Sequence, residues 1–338
     1  MNLLALVLPA VVAAAVVALL RATPVAACFL DRPGERSLHA TPTPRIGGIG
    51  LMLGALPLAF ALGTPEIRTV ALAAAALAAV SLVDDVRALP VAVRLPCHLG
   101  AAGAAVCAAW PAGQAADAPA MAAAVTAFLA ISWMTNLFNF MDGADGLAGG
   151  MAAIGFAALG SAALVAGDGA LGNACLATSA AAAGFLVFNF PPARVFMGDA
   201  GSVPLGFLAG ALGWLGAARG LWPVWFPILV FSPFVVDASV TLLRRIAARE
   251  AVLQAHRSHY YQRLVLSGWS HRRLAFAAWA LMALCATSAL AAIGAQPVLQ
   301  GTIIFGWAIT YGVLLVWIDR HHPRKTPGNG TRPREAGR

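Results

Sequence analysis

The chain has 338 residues, of which 60% are hydrophobic and only 11% are charged. Soluble globular proteins carry roughly 25% charged residues, so this composition excludes an ordinary soluble enzyme and indicates an integral membrane protein. The formal net charge is +8, yet acids cluster in the short polar gaps beside the apolar stretches. Because acids near lipid persist mainly where they bind a cation or handle protons, this pattern favours an anionic substrate held through a divalent metal.

Apolar stretches recur along the chain, each near the roughly 20 residues that a membrane-spanning helix requires. They predict eleven spans, at 3–20, 46–63, 67–83, 95–112, 119–138, 147–166, 171–189, 202–218, 222–242, 274–293 and 299–318. The longest polar stretch, about 243–273, is too short to form a core of its own. The predicted fold class is therefore all-α, a single transmembrane domain over 1–320. Residues 321–338 are rich in Arg, Pro and Gly and are predicted to be a disordered basic tail.

The distribution of positive charge orients these spans. With the N-terminus outside, all but two of the 22 Lys and Arg residues fall on the inner side, and the exceptions are Arg68 and Arg219. Positive charge concentrates in cytoplasmic loops, so we predict a periplasmic N-terminus and a cytoplasmic C-terminus. The first span has no basic residue before its apolar run, and it is predicted to be an uncleaved helix rather than a signal peptide.

The first inner loop combines basic side chains with prolines that keep its backbone extended. Arg36, His39 and Arg45 precede the Gly47-Gly48 pair that opens the second span. Guanidinium groups suit bidentate contact with phosphate. Plain anchoring of positive charge on the inner side is the alternative interpretation, and the sequence leaves both open.

The second inner loop begins with two adjacent acids, Asp84 and Asp85, at the end of the third span. Adjacent carboxylates repel each other unless a cation intervenes, so such a pair can hold Mg²⁺ or leave one member as a general base. Solvated acids at a helix end are the alternative. The helix dipole disfavours anions at a C-terminus, which makes that alternative the weaker one.

The third inner segment, NLFNFMDGADGL, is the most specific. Asn136, Asn139 and Asp142 are spaced three apart and share one helix face while the helix lasts. Asp145 follows between two glycines that allow a sharp turn. Amide and carboxylate oxygens suit both a nucleoside and a hard cation, whereas an Asx-rich turn alone does not require the two asparagines.

The fourth inner segment, FMGDAGS, places Asp199 at the start of the eighth span. A helix cap is one interpretation, but Ser202 would serve that purpose too. Mg²⁺ takes one or two carboxylates and leaves its other positions to phosphates and water. Asp199 is therefore the leading candidate for a metal ligand.

The fifth inner loop is strongly basic and contains His256, Arg257 and His259. These side chains can hydrogen-bond phosphate oxygens, and Tyr260 or Tyr261 can stack on a sugar or base. A zinc site built on the two histidines lacks further ligands nearby.

One acid, Asp237, lies within the inner half of the span before this loop. An acid at that depth requires a partner. Arg244 and Arg245 are candidates, and the alternative is that Asp237 points into the site.

Five motifs follow one another between Asp31 and Arg263: RSLHATPTPRIGG, DD, NLFNFMDGADGLAGG, FMGDAGS and HRSHYYQRL. With these motifs in this order, the chain resembles the polyprenyl-phosphate N-acetylhexosamine-1-phosphate transferases, glycosyltransferase family 4. The histidine motif looks more like that of the undecaprenyl-phosphate enzymes that initiate O-antigen and surface-polysaccharide synthesis than that of the peptidoglycan branch. Any one motif alone would be weak, whereas the ordered set is specific.

The resemblance implies transfer of a sugar-1-phosphate from a UDP-amino sugar to a membrane polyprenyl phosphate, with release of UMP. It implies Mg²⁺ as the cofactor, with Mn²⁺ as a substitute, and a multi-pass enzyme of the bacterial inner membrane whose active site is cytoplasmic. A homodimer is a further expectation, and no nucleic-acid partner is expected.

The residues implied by the resemblance and by the loop chemistry fall into three sets. The metal ligands are Asp199 and Asn139. The catalytic set comprises Asp84, Asp85, Asp199, His256 and His259. The binding set for nucleotide and substrate comprises Asn136, Asn139, Asp142, Asp145, Arg36, His39, Arg45 and Arg257.

The chain departs from the family pattern at Ser37, where relatives often carry Lys. A phosphate contact made by that Lys would here fall to Arg36, Arg45 or Arg94. Direct attack by the acceptor phosphate is favoured over a protein nucleophile, since a phosphate monoester with a second pKa of about 6 is largely dianionic already.

Three other functions compete with this interpretation. A phospho-N-acetylmuramoyl-pentapeptide transferase is the alternative within the family. A cation-coupled transporter would place its acids near span midpoints and show inverted repeats. A CDP-alcohol phosphotransferase would concentrate its aspartates in one pair of spans, whereas here they are spread over four loops.

Overall fold

The structure is a computed structural model that describes residues 3–34, 38–39, 41–110, 117–251 and 256–322. The helices in these ranges are α1 (Leu3–Arg21), α2 (Gly47–Leu62), α3 (Pro65–Arg87), α4 (Val91–Ala108), α5 (Ala118–Phe140), α6 (Leu147–Val165), α7 (Gly169–Asn189), α8 (Asp199–Ala218), α9 (Trp225–Val230), α10 (Ser232–Ala247), α11 (Tyr260–Leu266), α12 (His271–Ala292) and α13 (Pro297–His321). Within the described ranges, eight helices are long and apolar enough to cross a membrane, and two shorter apolar helices accompany them. The chain is a polytopic helical membrane protein.

The helices follow the predicted spans closely, except for the ninth. The stretch predicted as one span over 222–242 consists of α9 and α10, which meet at Phe231. Pro233 lies at the start of α10. Proline lacks the N–H that would continue the hydrogen-bond ladder and its ring crowds the preceding turn, so the helix breaks there. The number of eleven spans and their orientation stay predictions.

The first inner loop forms a small hairpin instead of a free coil. A 3₁₀ turn, Pro24–Phe29, leads into β1 (Leu30–Asp31), which pairs antiparallel with β2 (Thr43–Pro44). The Phe196 N–H donates to the Pro44 carbonyl at 2.9 Å. This contact attaches the hairpin to the segment before α8 and holds the first loop against the fourth.

Helix α8 is the most enclosed helix of the bundle, with most of its residues buried. Small residues allow its close packing, as is common between membrane helices. A Cβ at Gly206 would collide with the Met134 carbonyl of α5, and a Cβ at Gly48 of α2 would collide with the Gly201 backbone. The N-terminus of α8 is thereby fixed beside the C-termini of α3 and α5, which carry the acidic motifs. We call this end of the bundle the acidic end.

At the opposite end of the bundle, Arg219, which follows α8, links the start of α3 to the start of α7. Its guanidinium donates to Asp168 at 2.6 Å, to Glu66 at 2.9 Å and to Thr64 at 2.8 Å. These partners precede α7 or lie at the start of α3. One of the two positive charges that break the charge bias of the sequence therefore has a structural role.

Replacing Arg219 with alanine is expected to lower the thermal midpoint of the detergent-solubilised protein, because two carboxylates lose their shared cation. Arg68→Ala is the matched control, since Arg68 is exposed and its guanidinium donates to the Phe60 carbonyl at 3.1 Å. Thermal unfolding followed by size-exclusion chromatography checks the difference. Equal midpoints for the two variants would contradict the joining role of Arg219.

Candidate active site

A cavity of about 790 Å³ opens at the acidic end and is lined by residues from five segments of the chain. This volume lies within the range of small-molecule sites, roughly 300–1,000 Å³. Seven residues predicted from the sequence line it: His39, Arg45, Asn139, Asp142, Asp145, Asp199 and His256. The tertiary structure thus brings four of the five predicted inner segments, the first, third, fourth and fifth, to one cavity.

Asp85 does not line this cavity; it holds the helix that does. Its two carboxylate oxygens accept hydrogen bonds from the backbone N–H groups of Asp199 and Ala200, each at 3.1 Å. The first N–H groups of a helix have no partner within the helix, and an anion at that end is favoured by the helix dipole. Asp85 therefore caps α8 from a neighbouring helix and fixes the position of the Asp199 side chain.

Asp84 faces Arg94 of α4. Its Oδ2 accepts a hydrogen bond from Arg94 Nη1 at 2.9 Å, and the same nitrogen lies 3.9 Å from Asp199 Oδ2. Arg94 thus bridges the two acids. The two adjacent aspartates therefore have different partners. Asp85 accepts backbone N–H groups of α8, and Asp84 pairs with the Arg94 guanidinium.

Asn139, at the end of α5, meets the first turn of α8. Its Oδ1 accepts a hydrogen bond from Ser202 Oγ at 2.7 Å, and Ser202 Oγ also lies 3.2 Å from the Gly198 carbonyl. Ser202 is therefore engaged with Asn139 and does not cap α8. This contact places an amide oxygen beside the helix end that carries Asp199.

The third acid of the cavity is Asp142, in the turn between α5 and α6. Burial raises the pKa of Asp142 well above its usual range, and the nearby charges of Asp199 and Asp85 raise it further, against the opposing effect of Arg45. Several carboxylates are therefore held where their charged forms repel each other. A bound cation would relieve this repulsion.

The side chains of the cavity can be compared with the ligands that a metal ion usually has in proteins. Among the residues that the structure describes, no group of three or more His, Cys, Asp or Glu side chains is arranged to hold a metal ion. Mg²⁺ is usually bound through one or two carboxylates and completed by phosphates and water. Asp199 and Asn139, with Asp142 nearby, fit that second kind of site, in which the substrate supplies part of the shell.

Asp145 joins three segments rather than standing free in the cavity. Its Oδ2 accepts from the Ala193 N–H at 2.9 Å, and its Oδ1 lies 3.1 Å from Nδ1 of His271, the first residue of α12. Beside it, Asn189 Oδ1 accepts from the Gly146 N–H at 2.9 Å. His271 and Asn189 also line the cavity. Sequence reasoning missed both, because His271 lies 126 residues from Asp145 and no spacing signal links them.

The first-loop residues are held by an acid of their own hairpin. Arg45 Nη2 lies 2.6 Å from Asp31 Oδ1, and His39 Nε2 lies 3.8 Å from Asp31 Oδ2. The His39 ring packs edge-on against Phe196 at 4.8 Å. Arg45 and His39 both border the cavity, whereas Arg36 lies outside the described residues.

The fifth loop supplies His256 to the cavity wall. The His259 ring lies behind it, with the two ring centroids 4.9 Å apart. Arg257 is exposed and is not part of the cavity lining. His256 therefore contributes to the cavity wall directly, and His259 packs against it.

Asp237 has neither of the partners considered from the sequence. Arg244 pairs with Asp319 at 2.6 Å, and Arg245 pairs with Glu250 at 2.9 Å. Asp237 instead lies 3.2 Å from His259 Nδ1. It therefore belongs to the support of the fifth loop.

Asn136 also lies outside the cavity wall. Its Nδ2 donates to the Ser132 carbonyl of its own helix at 2.8 Å. Its predicted role as a nucleotide contact has no support from this geometry, because the side chain is not part of the cavity lining. The role stays a prediction.

Comparison with known proteins agrees with this arrangement. Residues 67–217 match the model of the family described as glycosyl transferase family 4. A probable undecaprenyl-phosphate N-acetylglucosaminyl 1-phosphate transferase of Bacillus subtilis is 30% identical over 72% of this chain and 71% of its own length. A decaprenyl-phosphate N-acetylglucosaminephosphotransferase of Mycobacterium tuberculosis is 29% identical over 83% of this chain and 80% of its own.

A second branch of relatives is also similar. A phospho-N-acetylmuramoyl-pentapeptide-transferase of Picosynechococcus is 30% identical over 81% of this chain and 83% of its own length. Relatives of both branches are transferases of a sugar phosphate, and the matched region contains the two aspartate motifs that meet at the start of α8. The chain belongs to glycosyl transferase family 4 and is a sugar-phosphate transferase of the membrane.

Proposed function

We propose that the protein transfers a HexNAc-1-phosphate from a UDP-amino sugar to undecaprenyl or another polyprenyl phosphate at the cytoplasmic membrane face and releases UMP. The reaction would be the first membrane step of a cell-envelope polysaccharide such as an O-antigen. One observation carries the proposal: acids of the α5–α6 turn and of α8 line one cavity together with Arg45 at one end of the bundle. The α3 acids and Arg94 contact the start of α8, which carries Asp199.

This cavity suits phosphoryl transfer between a water-soluble donor and a lipid acceptor. It lies at the ends of membrane helices, where a lipid phosphate and a nucleotide can meet. Phosphoryl transfer depends on positioning and charge neutralisation more than on covalent chemistry by the protein. The mixture of arginines and carboxylates supplies both kinds of contact.

Asp199 and Asn139 are the residues that would hold Mg²⁺ or Mn²⁺, with Asp142 nearby. The metal would neutralise charge on the donor's phosphates when it is bound. Arg45 is placed to contact phosphate from the first loop, and His256 does so from the fifth. We propose that the acceptor phosphate attacks directly, since both oxygens of Asp85 are already engaged by backbone N–H groups.

The second candidate is a phospho-N-acetylmuramoyl-pentapeptide transferase, which the similarity to that branch supports. Both branches would use the same acidic end and differ in the donor sugar. A cation-coupled transporter is disfavoured, because its acids should form a path through the membrane. The cavity acids lie at one end of the bundle, and the buried Asp237 is hydrogen-bonded to backbone N–H groups of α11.

The test is exchange of labelled UMP into UDP-sugar by the purified protein in vesicles that contain undecaprenyl phosphate. A panel of UDP-GlcNAc, UDP-GalNAc, UDP-FucNAc, UDP-QuiNAc and UDP-MurNAc-pentapeptide separates the two candidates. We expect exchange with a UDP-HexNAc in the presence of Mg²⁺, loss of exchange when EDTA removes the metal, and recovery when Mg²⁺ is restored.

Two outcomes of this assay would overturn parts of the proposal. No exchange with any donor, in a preparation that elutes as a folded protein, would refute the transferase reaction with UDP-sugars. Exchange that persists undiminished in EDTA would refute the role of the metal. The residues left in the site, two anionic carboxylates and a neutral amide, cannot neutralise the negative charge of the phosphates in its place.

A further inference from the structure

Asp237 is a buried acid of α10 that no step of the proposed reaction uses. Its residue is only 8% exposed, and it lies on the same helix face as the buried Phe234 and Thr241. A carboxylate so far from water is costly unless its oxygens accept several hydrogen bonds. Its hydrogen bonds therefore indicate what it does.

Three of these hydrogen bonds run to the start of α11. Asp237 Oδ1 accepts from the Tyr260 N–H at 2.9 Å, and Oδ2 accepts from the Tyr261 N–H at 3.0 Å. Oδ1 also lies 3.2 Å from His259 Nδ1, and Thr241 Oγ1 donates to it at 3.2 Å. Asp237 thus binds the fifth loop by its backbone and by one imidazole at once.

The contact with His259 has a chemical consequence. A carboxylate accepts hydrogen bonds only, so Nδ1 of His259 carries the proton. Nε2 lies on the side of the ring away from Asp237. A carboxylate that holds one imidazole nitrogen fixes the tautomer and orientation of the ring.

The orientation of His259 matters for the cavity. His259 is only 4% exposed, and its ring lies against His256, which borders the cavity, and against Phe140, which precedes the α5–α6 turn. The Tyr261 hydroxyl donates to the Phe140 carbonyl at 3.1 Å. His259 and Tyr261, which Asp237 holds, therefore pack against His256 at the cavity wall and against Phe140 beside the α5–α6 turn.

A second anchor holds the other side of α11. Arg263 Nη1 donates to Asp319 of α13 at 2.8 Å, and the Arg263 guanidinium lies over the Tyr260 ring at 4.7 Å. The Arg263 hydrogen bonds run to α13 and the residue after it, and among the described residues none reaches the ring of His256 or His259. It offers a comparison for a purely structural effect on the loop.

We propose that Asp237 is a positioning residue for transfer, which holds His259 as the Nδ1-protonated tautomer and keeps the His256–His259 pair at the cavity wall. The effect on transfer rests on the proposed function, whereas the tautomer of His259 does not. Asp237 is not part of the cavity lining, so it acts through His259.

The first measurement uses the parent protein and needs no activity. Solid-state NMR of the protein labelled with ¹⁵N-histidine, in vesicles, is expected to show His259 with a protonated Nδ1 and an unprotonated Nε2, assigned by comparison with His259→Gln. An Nε2-protonated neutral ring would overturn the proposal whatever the enzyme's substrate. Because this readout is independent of turnover, its failure is distinct from failure of the proposed reaction.

The second measurement is a double-mutant cycle on kcat/KM with the donor sugar that the exchange assay selects. We expect Asp237→Asn to lower kcat/KM by about 10- to 100-fold in the parent and by less than about threefold in a His259→Ala background, because the partner is then already gone. An equal fall in both backgrounds would overturn the proposal, since it would mean that Asp237 only supports the fold.

Arg263→Gln is the matched control. It weakens the other anchor of α11 and leaves the Asp237–His259 contact in place, so its effect on kcat/KM is expected to be equal in the two backgrounds. If Asp237→Asn does not elute as a folded protein, the NMR measurement on the parent decides the proposal. A cycle in which Arg263→Gln couples to His259 as strongly as Asp237→Asn does would count against it.

Discussion

Replacing Asp199 with asparagine is expected to lower the rate of sugar-phosphate transfer by about 10²- to 10³-fold, with the protein still folded and inserted in the membrane. The Asp199 carboxylate borders the cavity and lies 3.9 Å from Arg94. Asparagine keeps its volume but removes the charge and one metal-binding oxygen. Initial rates of lipid-product formation in vesicles, normalised to inserted protein, measure the effect.

Asp117→Asn is the control for this variant. Asp117 caps α5 at the end of the bundle opposite the cavity, where its Oδ1 accepts from the Ala120 N–H at 2.9 Å. The same charge is removed, and transfer is expected to stay within about twofold of the parent because surface changes of this kind have small effects. A near-normal rate for Asp199→Asn would remove Asp199 from the metal site.

Replacing Asp85 with alanine is expected to lower both activity and stability. The carboxylate supplies the acceptors for two N–H groups of α8, and loss of a helix cap costs about 1–2 kcal/mol. Once the cap is lost, the first turn of α8 can shift and carry Asp199 with it, so we expect transfer to fall by about 10²-fold or more. Rates and thermal midpoints must be measured on the same preparation.

Asp85→Asn separates this role from that of a general base. An amide keeps one acceptor oxygen, so a capping role predicts a rate and a midpoint between those of the parent and Asp85→Ala. A base requires the carboxylate, so it predicts that Asp85→Asn is as inactive as Asp85→Ala while remaining more stable. A parent-like midpoint for Asp85→Ala would contradict the cap itself.

These two predictions follow from two different roles of acids that look alike in the sequence: some face the cavity, and others support the helices around it. Asp199 and Asp142 face the cavity, whereas Asp85 and Asp237 accept backbone N–H groups from helices that carry site residues. Asp145 ties the α5–α6 turn to His271. Buried acids of both kinds are equally costly, so cost alone does not distinguish a ligand from a support.

The sequence by itself determined the membrane class, the position of most apolar helices and the polar segments that meet at the acidic end. Hydropathy predicts a span because lipid surrounds each helix, and the requirement for apolar residues is met locally. The motif around Asn139 and Asp142 and the one around Asp199 were recognisable for a similar reason, since their polar residues and glycines stand out within a few positions of an apolar helix. The break at Phe231 was missed because its prolines lie inside an otherwise apolar run.

Only the tertiary structure decided what each acid does. Asp85 meets the Asp199 N–H across 114 residues of chain, and Asp237 meets His259 across 22. The role of a carboxylate depends on which donors approach its two oxygens, and those donors come from whichever helices pack beside it. From the local sequence one can predict that an acid near lipid is hydrogen-bonded. Helix packing determines which donors it binds, because a hydrogen bond requires approach to within about 3 Å.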